Sequence, residues 1–202
     1  MTTYQTAVPV EHISLHQSAR VWGELVHNIQ RGDLSYDTPY QRGDVWTQGQ
    51  RIMLIHSILS GTPIPALIIN RRPRSMWFDA DGTQLPLDVV IDGKQRLITV
   101  QAFMEDRLAV PASWFPAADV ERTVIIQGDG EYVNYSGLTR SRQRFFEMSA
   151  TIAVCEGSLP GIRAEAEVYL RVNGSGTMQT DDDLWRAAEA ARSFTDSPTG
   201  DQ

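Results

Sequence analysis

The sequence contains one cysteine, Cys155, among its 202 residues. A single cysteine excludes an internal disulfide framework and is typical of a protein in a reducing compartment. The N-terminus has no basic segment followed by an apolar run, so no secretory signal is predicted. No apolar stretch approaches the length of a membrane-spanning helix. These absences predict a soluble protein of the cytoplasm.

Lysine is almost as rare as cysteine, because Lys94 is the only one beside 17 arginines. The net charge is −7 at pH 7, and the acidic excess lies in residues 101–202. A negative chain argues against a protein that coats DNA non-specifically, since that binding depends on neutralising phosphates. Short arginine patches at 71–74 and 140–144 are either solvated faces or contacts for a nucleic-acid backbone. A GC-rich genome is the simpler explanation of the arginine bias.

Several catalytic signatures are also absent. The sequence has no Gly-x-x-x-x-Gly-Lys-Ser/Thr loop, which excludes the commonest class of NTPases, and no Gly-x-Ser-x-Gly nucleophile elbow. His12 and His16 are four residues apart, but a third ligand and the general-base glutamate of a zinc motif are missing. Cys155 has no histidine at a suitable spacing, and we interpret it as a buried structural thiol.

The pattern of apolar residues predicts one α+β domain. With 42% hydrophobic residues, the chain is long enough to bury a sizeable core. Residues 1–192 are predicted to form this domain, and residues 193–202 a disordered tail. The periodicity predicts helices over 20–29, 48–60, 97–108, 140–148 and 162–172 and from Thr180, and Gly32 and Gly61 are predicted to end the first two. It predicts strands over 8–13, 66–70, 87–91, 120–127, 131–135 and 150–154.

The segment Asp92–Arg96 lies between a predicted strand and a predicted helix. The start of a helix leaves backbone N–H groups without partners and carries a partial positive charge. Gly93 allows a ligand to approach the backbone, and Lys94 or Arg96 can add charge-assisted bonds to phosphate oxygens. Asp92 is suited to hold a metal ion, to orient Arg96 or to cap the helix. An ordinary capped helix explains the spacing equally well.

Two further segments contain candidate ligand contacts. Residues 40–46 form a polar loop with Arg42 and Trp46, and an arginine beside an aromatic ring is a common way to hold a base and its phosphates. Taken alone, the loop is better explained by Trp46 as a core anchor and Arg42 as a surface charge. Asn173 is followed by two glycines, which form either a helix C-cap and turn or a contact to a ligand.

Taken in order, these segments resemble the family that forms the N-terminal half of GmrSD-type modification-dependent restriction enzymes. The shared pattern is Tyr-Gln-Arg-x-x-x-Trp, Ser-Ile-Leu-x-Gly-x-Pro-Ile-Pro, Asp-Gly-Lys-Gln-Arg-Leu and Arg-Val-Asn-x-x-Gly. The resemblance extends over residues 36–184. It implies a ParB/sulfiredoxin-like fold, with a small mixed sheet flanked by helices. The family's usual signature is Asp-Gly-Gln-Gln-Arg, and Lys94 replaces its first glutamine.

The resemblance also implies a nucleotide site. By carry-over, Asp92, Gln95 and Arg96 are the expected catalytic residues, and Asp92 is also the expected metal ligand. The expected ligand is a nucleoside triphosphate (ATP, GTP or CTP) with Mg²⁺. The residues expected to bind the nucleotide are Gly93, Lys94, Gln41, Arg42, Trp46 and Asn173.

The function implied by this resemblance is phosphoryl transfer, most simply by an NTPase of a phage-defence or counter-defence system, in a bacterial host or a phage-infected cell. Two alternatives remain open: a kinase that phosphorylates a hydroxymethylated base in DNA, and a non-enzymatic, partition-like DNA-binding module. The family's restriction enzymes carry an HNH-like nuclease domain, but these 202 residues contain no His-Asn-His cluster. The expected partners are therefore the nucleotide, DNA, and a separate nuclease or modification-system protein.

Overall fold

The fold is that of a computed structural model, which describes residues 12–78, 81–174 and 189. The helices in these residues are α1 (Trp22–Arg31), α2 (Gln48–Ser60), α3 (Lys94–Met104), α4 (Arg140–Met148) and α5 (Ile162–Gly174). The strands are β1 (His16–Val21), β2 (Leu34–Ser35), β3 (Leu67–Arg71), β4 (Asp88–Asp92), β5 (Val110–Pro111), β6 (Val124–Ile126), β7 (Gly130–Val133) and β8 (Thr151–Gly157).

The main sheet has the strand order β1-β8-β3-β4-β2. The β1–β8 and β3–β4 pairs are antiparallel, whereas β8–β3 and β4–β2 are parallel. A second sheet, β5-β7-β6, is antiparallel. The prediction of an α+β fold with a mixed sheet flanked by helices is therefore confirmed. The finer ParB/sulfiredoxin-like assignment stays a prediction.

Side chains of the central strands alternate between two apolar clusters. Leu67 and Ile69 of β3 pack into the larger cluster, which also contains buried residues of α1, α2, α3 and α4. Ile68, between them, packs into a smaller cluster with Ile91 and the α5 residue Tyr169. This period of two is the signature of a strand that is buried on both faces. The sheet therefore has α5 on one face and the other helices on the opposite face.

Glycine ends the first two helices, as the sequence predicts. Gly32 follows α1 with φ of 80°, and Gly61 follows α2 with φ of 67°. Left-handed glycines of this kind satisfy the last carbonyls of a helix. At its other end α2 has a capping box, in which Thr47 accepts a bond from the Gln50 N–H and the Gln50 side chain bonds back to the Thr47 N–H.

Several predicted boundaries were wrong. Helix α1 begins at Trp22 rather than at residue 20, because Arg20 and Val21 belong to β1, a strand that was not predicted. Helix α3 ends at Met104 rather than at residue 108. Helix α3 begins at Lys94, three residues earlier than predicted, because its first turn is polar and apolar periodicity starts only at Leu97. Helix α5 continues through Asn173 and Gly174, so the predicted break does not begin at Asn173. The strand predicted over 120–127 is reduced to Val124–Ile126.

Other predictions fall on parts of the chain that the structure does not describe. These are most of the strand over 8–13, the helix from Thr180 and the tail over 193–202. Cys155, predicted to be buried, is only partly buried beside the smaller cluster. Among the described helices, none is both long enough and apolar enough to cross a membrane.

Candidate functional site

The turn between β4 and α3 presents an uncapped helix N-terminus. Gly93 is the residue before the helix, with φ of 104°, and no side chain in the described part of the chain caps this end. The first bond within α3 runs from the Leu97 N–H to the Gly93 carbonyl at 3.1 Å, so the N–H groups of residues 94–96 lie before it. Such a terminus combines N–H donors with the positive end of the helix dipole. It is therefore a favourable place for an anion.

Position 93 requires glycine for a steric reason as well as for its backbone conformation. A Cβ built on Gly93 would lie 2.2 Å from Cδ2 of Leu67, which is fully buried on β3. A positive φ is also costly for residues with a side chain. Glycine therefore allows β3 and the turn to approach each other closely.

The turn forms one wall of a cavity of about 140 Å³. All nine residues predicted from the sequence to form the site line this cavity, together with Ile91 and Tyr169. Residues from three separate segments, 41–46, 91–96 and 169–173, thus meet at one place. Tyr169 was missed as a site residue, because its only sequence signal is its position one helical turn before Asn173.

Arg96 and Asp92 bond to each other. Nη2 of Arg96 donates to Oδ2 of Asp92 at 2.6 Å, and Nη1 donates to the Pro65 carbonyl and, at 3.4 Å, to the Ala66 carbonyl. Arg96 is only 8% exposed. Of the three roles considered for Asp92, the structure shows the one in which it orients Arg96, and the helix cap is Gly93 instead. Arg96 therefore connects the β4–α3 turn to the residues just before β3 by hydrogen bonds.

Gln41 connects the loop before α2 to the end of β4 by hydrogen bonds. Its Nε2 donates to the carbonyls of Val90 and Ile91, at 2.8 and 2.6 Å. At this point β4 carries an extra residue, since Ile68 pairs with Asp92 but Ile69 pairs with Val90. A bulge of this kind disrupts the regular ladder of hydrogen bonds. Gln41 supplies a donor to carbonyls at this irregularity.

Gln95 holds the same loop from the opposite side. Its Nε2 donates to the Gly43 carbonyl at 2.9 Å, and its Oε1 accepts the N–H groups of Val45 and Trp46, both at 3.2 Å. Both ends of the buried amide are thus bonded to backbone. The side chain was predicted to be catalytic, but its contacts are those of a positioning residue.

Replacing Gln95 by alanine should loosen this loop. The substitution removes three hydrogen bonds to backbone groups, and we expect the free energy of unfolding to fall by about 1–3 kcal/mol. Urea denaturation measures the loss, and hydrogen exchange should show faster exchange at the amides of Val45 and Trp46. Unchanged exchange at these two amides would contradict the positioning role.

Cationic side chains outnumber carboxylates among the described residues that line the cavity. Lys94 is half-buried, with its ammonium 5.9 Å from the centre of the Tyr36 ring. Arg42 is also half-buried and lies on the wall formed by the loop. Among the described residues that line the cavity, Asp92 is the only carboxylate, and Arg96 bonds to it. The excess of positive charge favours an anionic ligand.

A buried glutamate on α5 fixes that helix against the sheet. Glu165 is fully buried and accepts bonds from Nδ2 of Asn70 at 2.8 Å, from Nε of Arg72 at 3.1 Å and from the Tyr40 hydroxyl at 3.2 Å. Burial and, to a smaller extent, the charge of Glu165 raise the pKa of Tyr40, so its hydroxyl remains a donor. No pattern in the sequence indicates this network.

The network also positions the two α5 residues that line the cavity. The ring of Tyr169 lies 5.6 Å from that of Tyr40, whose hydroxyl bonds to Glu165. Nδ2 of Asn173 donates to the Tyr169 carbonyl at 2.9 Å within the helix. Because Tyr40 precedes Gln41, one loop connects the β4 end, α5 and the cavity.

The carboxylates around the cavity do not form a metal centre. In the described part of the chain, no group of three His, Cys, Asp or Glu side chains is arranged to hold a metal ion. Mg²⁺ is commonly held by one or two carboxylates together with substrate phosphates. Asp92 is a single carboxylate whose Oδ2 is bonded to Arg96. This donor set does not fit a metal held by the protein alone.

The arginine patches considered as DNA contacts are largely engaged in ion pairs. Nη1 of Arg140 lies 2.7 Å from Oε1 of Glu147, and Nη2 of Arg142 lies 2.7 Å from Oδ2 of Asp119. In the other patch Arg72 is bonded to the buried Glu165. An arginine whose charge is already compensated contributes less to phosphate neutralisation. The patches therefore offer less uncompensated charge to a phosphate backbone than their sequence indicates.

Comparison with known proteins identifies one family. The family described as "GmrSD restriction endonuclease, N-terminal domain" matches residues 22–188. The match covers the loop, the β4–α3 turn and α5, which together line the cavity. Neither the curated proteins nor the solved structures contain a match to the chain.

Proposed function

The chain belongs to the family of GmrSD restriction endonuclease N-terminal domains, and from this premise we propose that it binds a nucleoside triphosphate in a DNA-restriction system. The phosphates lie at the start of α3. The observation that supports this proposal is the uncapped N-terminus of α3, which shares a cavity with Lys94 and Arg42. Backbone N–H groups and nearby cations together are a recurrent phosphate site.

The individual residues take two kinds of role in this proposal. The N–H groups of residues 94–96 and the side chains of Lys94 and Arg42 contact phosphate oxygens. Gln41, Gln95 and Arg96 hold the loop, the bulge and the turn in the geometry that exposes those groups. Mg²⁺ enters with the triphosphate, and the ParB/sulfiredoxin-like assignment remains part of the proposal.

Hydrolysis of the bound nucleotide is the reaction we assign to the site. Catalysis of phosphoryl transfer consists largely of positioning and charge stabilisation, and the cationic lining favours both. The kinase alternative requires a general base near the acceptor, but Asp92, the only carboxylate among the described lining residues, is bonded to Arg96. The ion-paired arginines weaken the DNA-binding alternative.

A thermal-shift screen with ATP, GTP and CTP, with and without Mg²⁺, tests the binding proposal. We expect at least one nucleotide to raise the melting temperature. Phosphate release should then be measured for wild type and for Lys94→Gln, which restores the family's usual glutamine. A bound nucleotide that is never hydrolysed would remove the NTPase assignment and retain the binding site.

Reversing the charge at Lys94 should abolish tight binding. In Lys94→Glu a carboxylate replaces the ammonium beside the phosphates, and we expect the Kd to rise about tenfold or more, since a charged hydrogen bond contributes about 1.5–3 kcal/mol. Folding should be little affected, because an acidic residue is favourable in the first turn of a helix. Isothermal titration calorimetry measures the Kd.

The matched control is Arg144→Glu, the same change of charge at an exposed position of α4. Its Kd should remain within about twofold of wild type, because the residue does not line the cavity and exposed charges are screened by salt. Lys94→Glu binding as tightly as Arg144→Glu would place the phosphates elsewhere.

A further inference from the structure

A second cavity adjoins the one at the turn. It has a volume of about 470 Å³ and shares two lining residues with the first, Trp46 and Arg96. Its remaining wall includes Met53 of α2 and the segment Pro63–Pro65. We refer to this second cavity as the Trp46 groove. The two cavities are neighbours across the same pair of side chains.

The lining of the Trp46 groove differs from that of the turn. Apart from Arg96, its polar side chains are Gln50 and Ser57, and the others are apolar. Met53 is 55% exposed, so its side chain is accessible to a ligand in the groove. A thioether packs favourably against aromatic rings. The groove therefore suits a flat, largely apolar ligand with a few polar atoms at its edge.

Trp46 is presented to this groove by a fixed backbone. Its N–H bonds to Oε1 of Gln95 at 3.2 Å, and its carbonyl accepts a bond from Nε of Arg51 at 3.4 Å. Arg51 is itself paired with Asp44 in the same loop. A ring held in this way can stack on a ligand with little loss of conformational freedom.

The cavity at the turn is small for an entire nucleotide. Pockets for small molecules usually have volumes of about 300–1,000 Å³, whereas the cavity at the turn has about 140 Å³. The volume of the Trp46 groove, without the first cavity, is within that range. A ligand with an anionic end and a flat apolar end matches the pair of cavities.

We propose, on the basis of the proposed function, that the Trp46 groove holds the base of the nucleotide whose phosphates lie at the start of α3. The base stacks on the indole of Trp46 and contacts Met53 and Ile64. The Arg96 side chain forms part of the boundary between base and phosphates. Its hydrogen bonds to Asp92 and Pro65 keep it in place there.

Calorimetric titration of the full chain with ATP, GTP, CTP and inorganic tripolyphosphate tests this proposal. Tripolyphosphate has the phosphates without the base. We expect the tightest nucleotide to bind about tenfold or more tightly than tripolyphosphate, because stacking of a base on an aromatic side chain is usually worth that much. Trp46→Ala should remove most of this difference and leave the tripolyphosphate affinity within about twofold.

A second pair of variants tests the groove even if Trp46→Ala does not fold. Met53→Gln changes an exposed side chain of the groove without altering charge, and should weaken nucleotide binding about threefold or more. Met148→Gln is the matched control, since Met148 is 65% exposed at the end of α4, outside both cavities. It should change neither affinity.

The outcomes separate the base site from the phosphate site. If no nucleotide binds more tightly than tripolyphosphate, or if Met53→Gln behaves like Met148→Gln, the base does not occupy the groove, and the phosphate proposal stands. If neither the nucleotides nor tripolyphosphate bind, the proposed function is overturned as well.

Discussion

Gly93→Ala is expected to lower the free energy of unfolding by roughly 2–6 kcal/mol and to abolish nucleotide binding. Two costs add at this position. A left-handed φ of 104° strains any residue with a side chain by about 1–3 kcal/mol. The added Cβ would lie 2.2 Å from Cδ2 of Leu67, and relieving such a contact in a packed core typically costs about 1–3 kcal/mol.

The loss of binding follows from how that contact is relieved. Leu67 is fully buried on β3, so the turn is expected to move rather than the strand. Movement of the turn displaces the N–H groups of residues 94–96, which are the proposed phosphate donors. Since catalytic and binding geometry tolerates little displacement, nucleotide affinity should fall below detection.

Gly32→Ala is the matched control for Gly93→Ala. Gly32 has φ of 80° but nothing within 4 Å of an added Cβ, so this variant has the strain without the collision. Urea denaturation should show a clearly larger loss for Gly93→Ala, and Gly32→Ala should bind nucleotide like wild type. Equal losses in the two variants would mean that the contact with Leu67 has no energetic role.

Glu165→Ala is expected to lower the free energy of unfolding by about 3–5 kcal/mol, because removal of one partner of a buried ion pair leaves the other charge uncompensated. Glu165 is fully buried, and the Arg72 side chain that bonds to it is 10% exposed. Asn70 and Tyr40 also lose their acceptor. Nucleotide binding should weaken too, since α5 carries Tyr169 and Asn173.

The control for this variant lies two residues further along α5. Glu167 is 43% exposed and forms an ion pair with Arg163 at 3.4 Å within the helix. Exposed pairs of this kind contribute only about 0.3–0.5 kcal/mol, so Glu167→Ala should be nearly neutral in urea denaturation. If Glu165→Ala is no less stable than Glu167→Ala, the network does not anchor α5.

Local sequence signals were sufficient for much of the architecture. The glycines after α1 and α2 and the apolar period of α2 and α4 depend on neighbours within a few residues, and their predictions are confirmed. The family pattern brought together three distant segments, and all nine predicted residues line one cavity. Their assignment to nucleotide chemistry stays a prediction.

The roles of individual side chains were harder to predict, because they depend on long-range contacts. Gln95 was placed among the catalytic residues, but its amide bonds to Gly43, Val45 and Trp46, about 50 residues away in sequence. Gln41 similarly bonds to carbonyls at a bulge that no local pattern indicates. The spacing of a motif shows which residues meet, whereas their hydrogen-bond partners come from the fold.

Buried polar residues were missed for a related reason. Glu165 lies between two alanines on a helix with apolar periodicity, and from sequence it is indistinguishable from an exposed acid. Its partners Asn70 and Arg72 come from the β3 region, and Tyr40 from the loop. Only the packing of α5 on the sheet brings these four side chains together.

Backbone amide NMR during titration with tripolyphosphate tests the central claim most directly. If phosphates bind at the start of α3, the amides of Lys94, Gln95 and Arg96 should show the largest chemical-shift changes, and they should saturate together. The chemical shifts of amides in α4, such as that of Arg144, should not change, since α4 lies outside the cavity. Saturable binding that leaves the three α3 amides unchanged would contradict the assignment of this turn as the phosphate site.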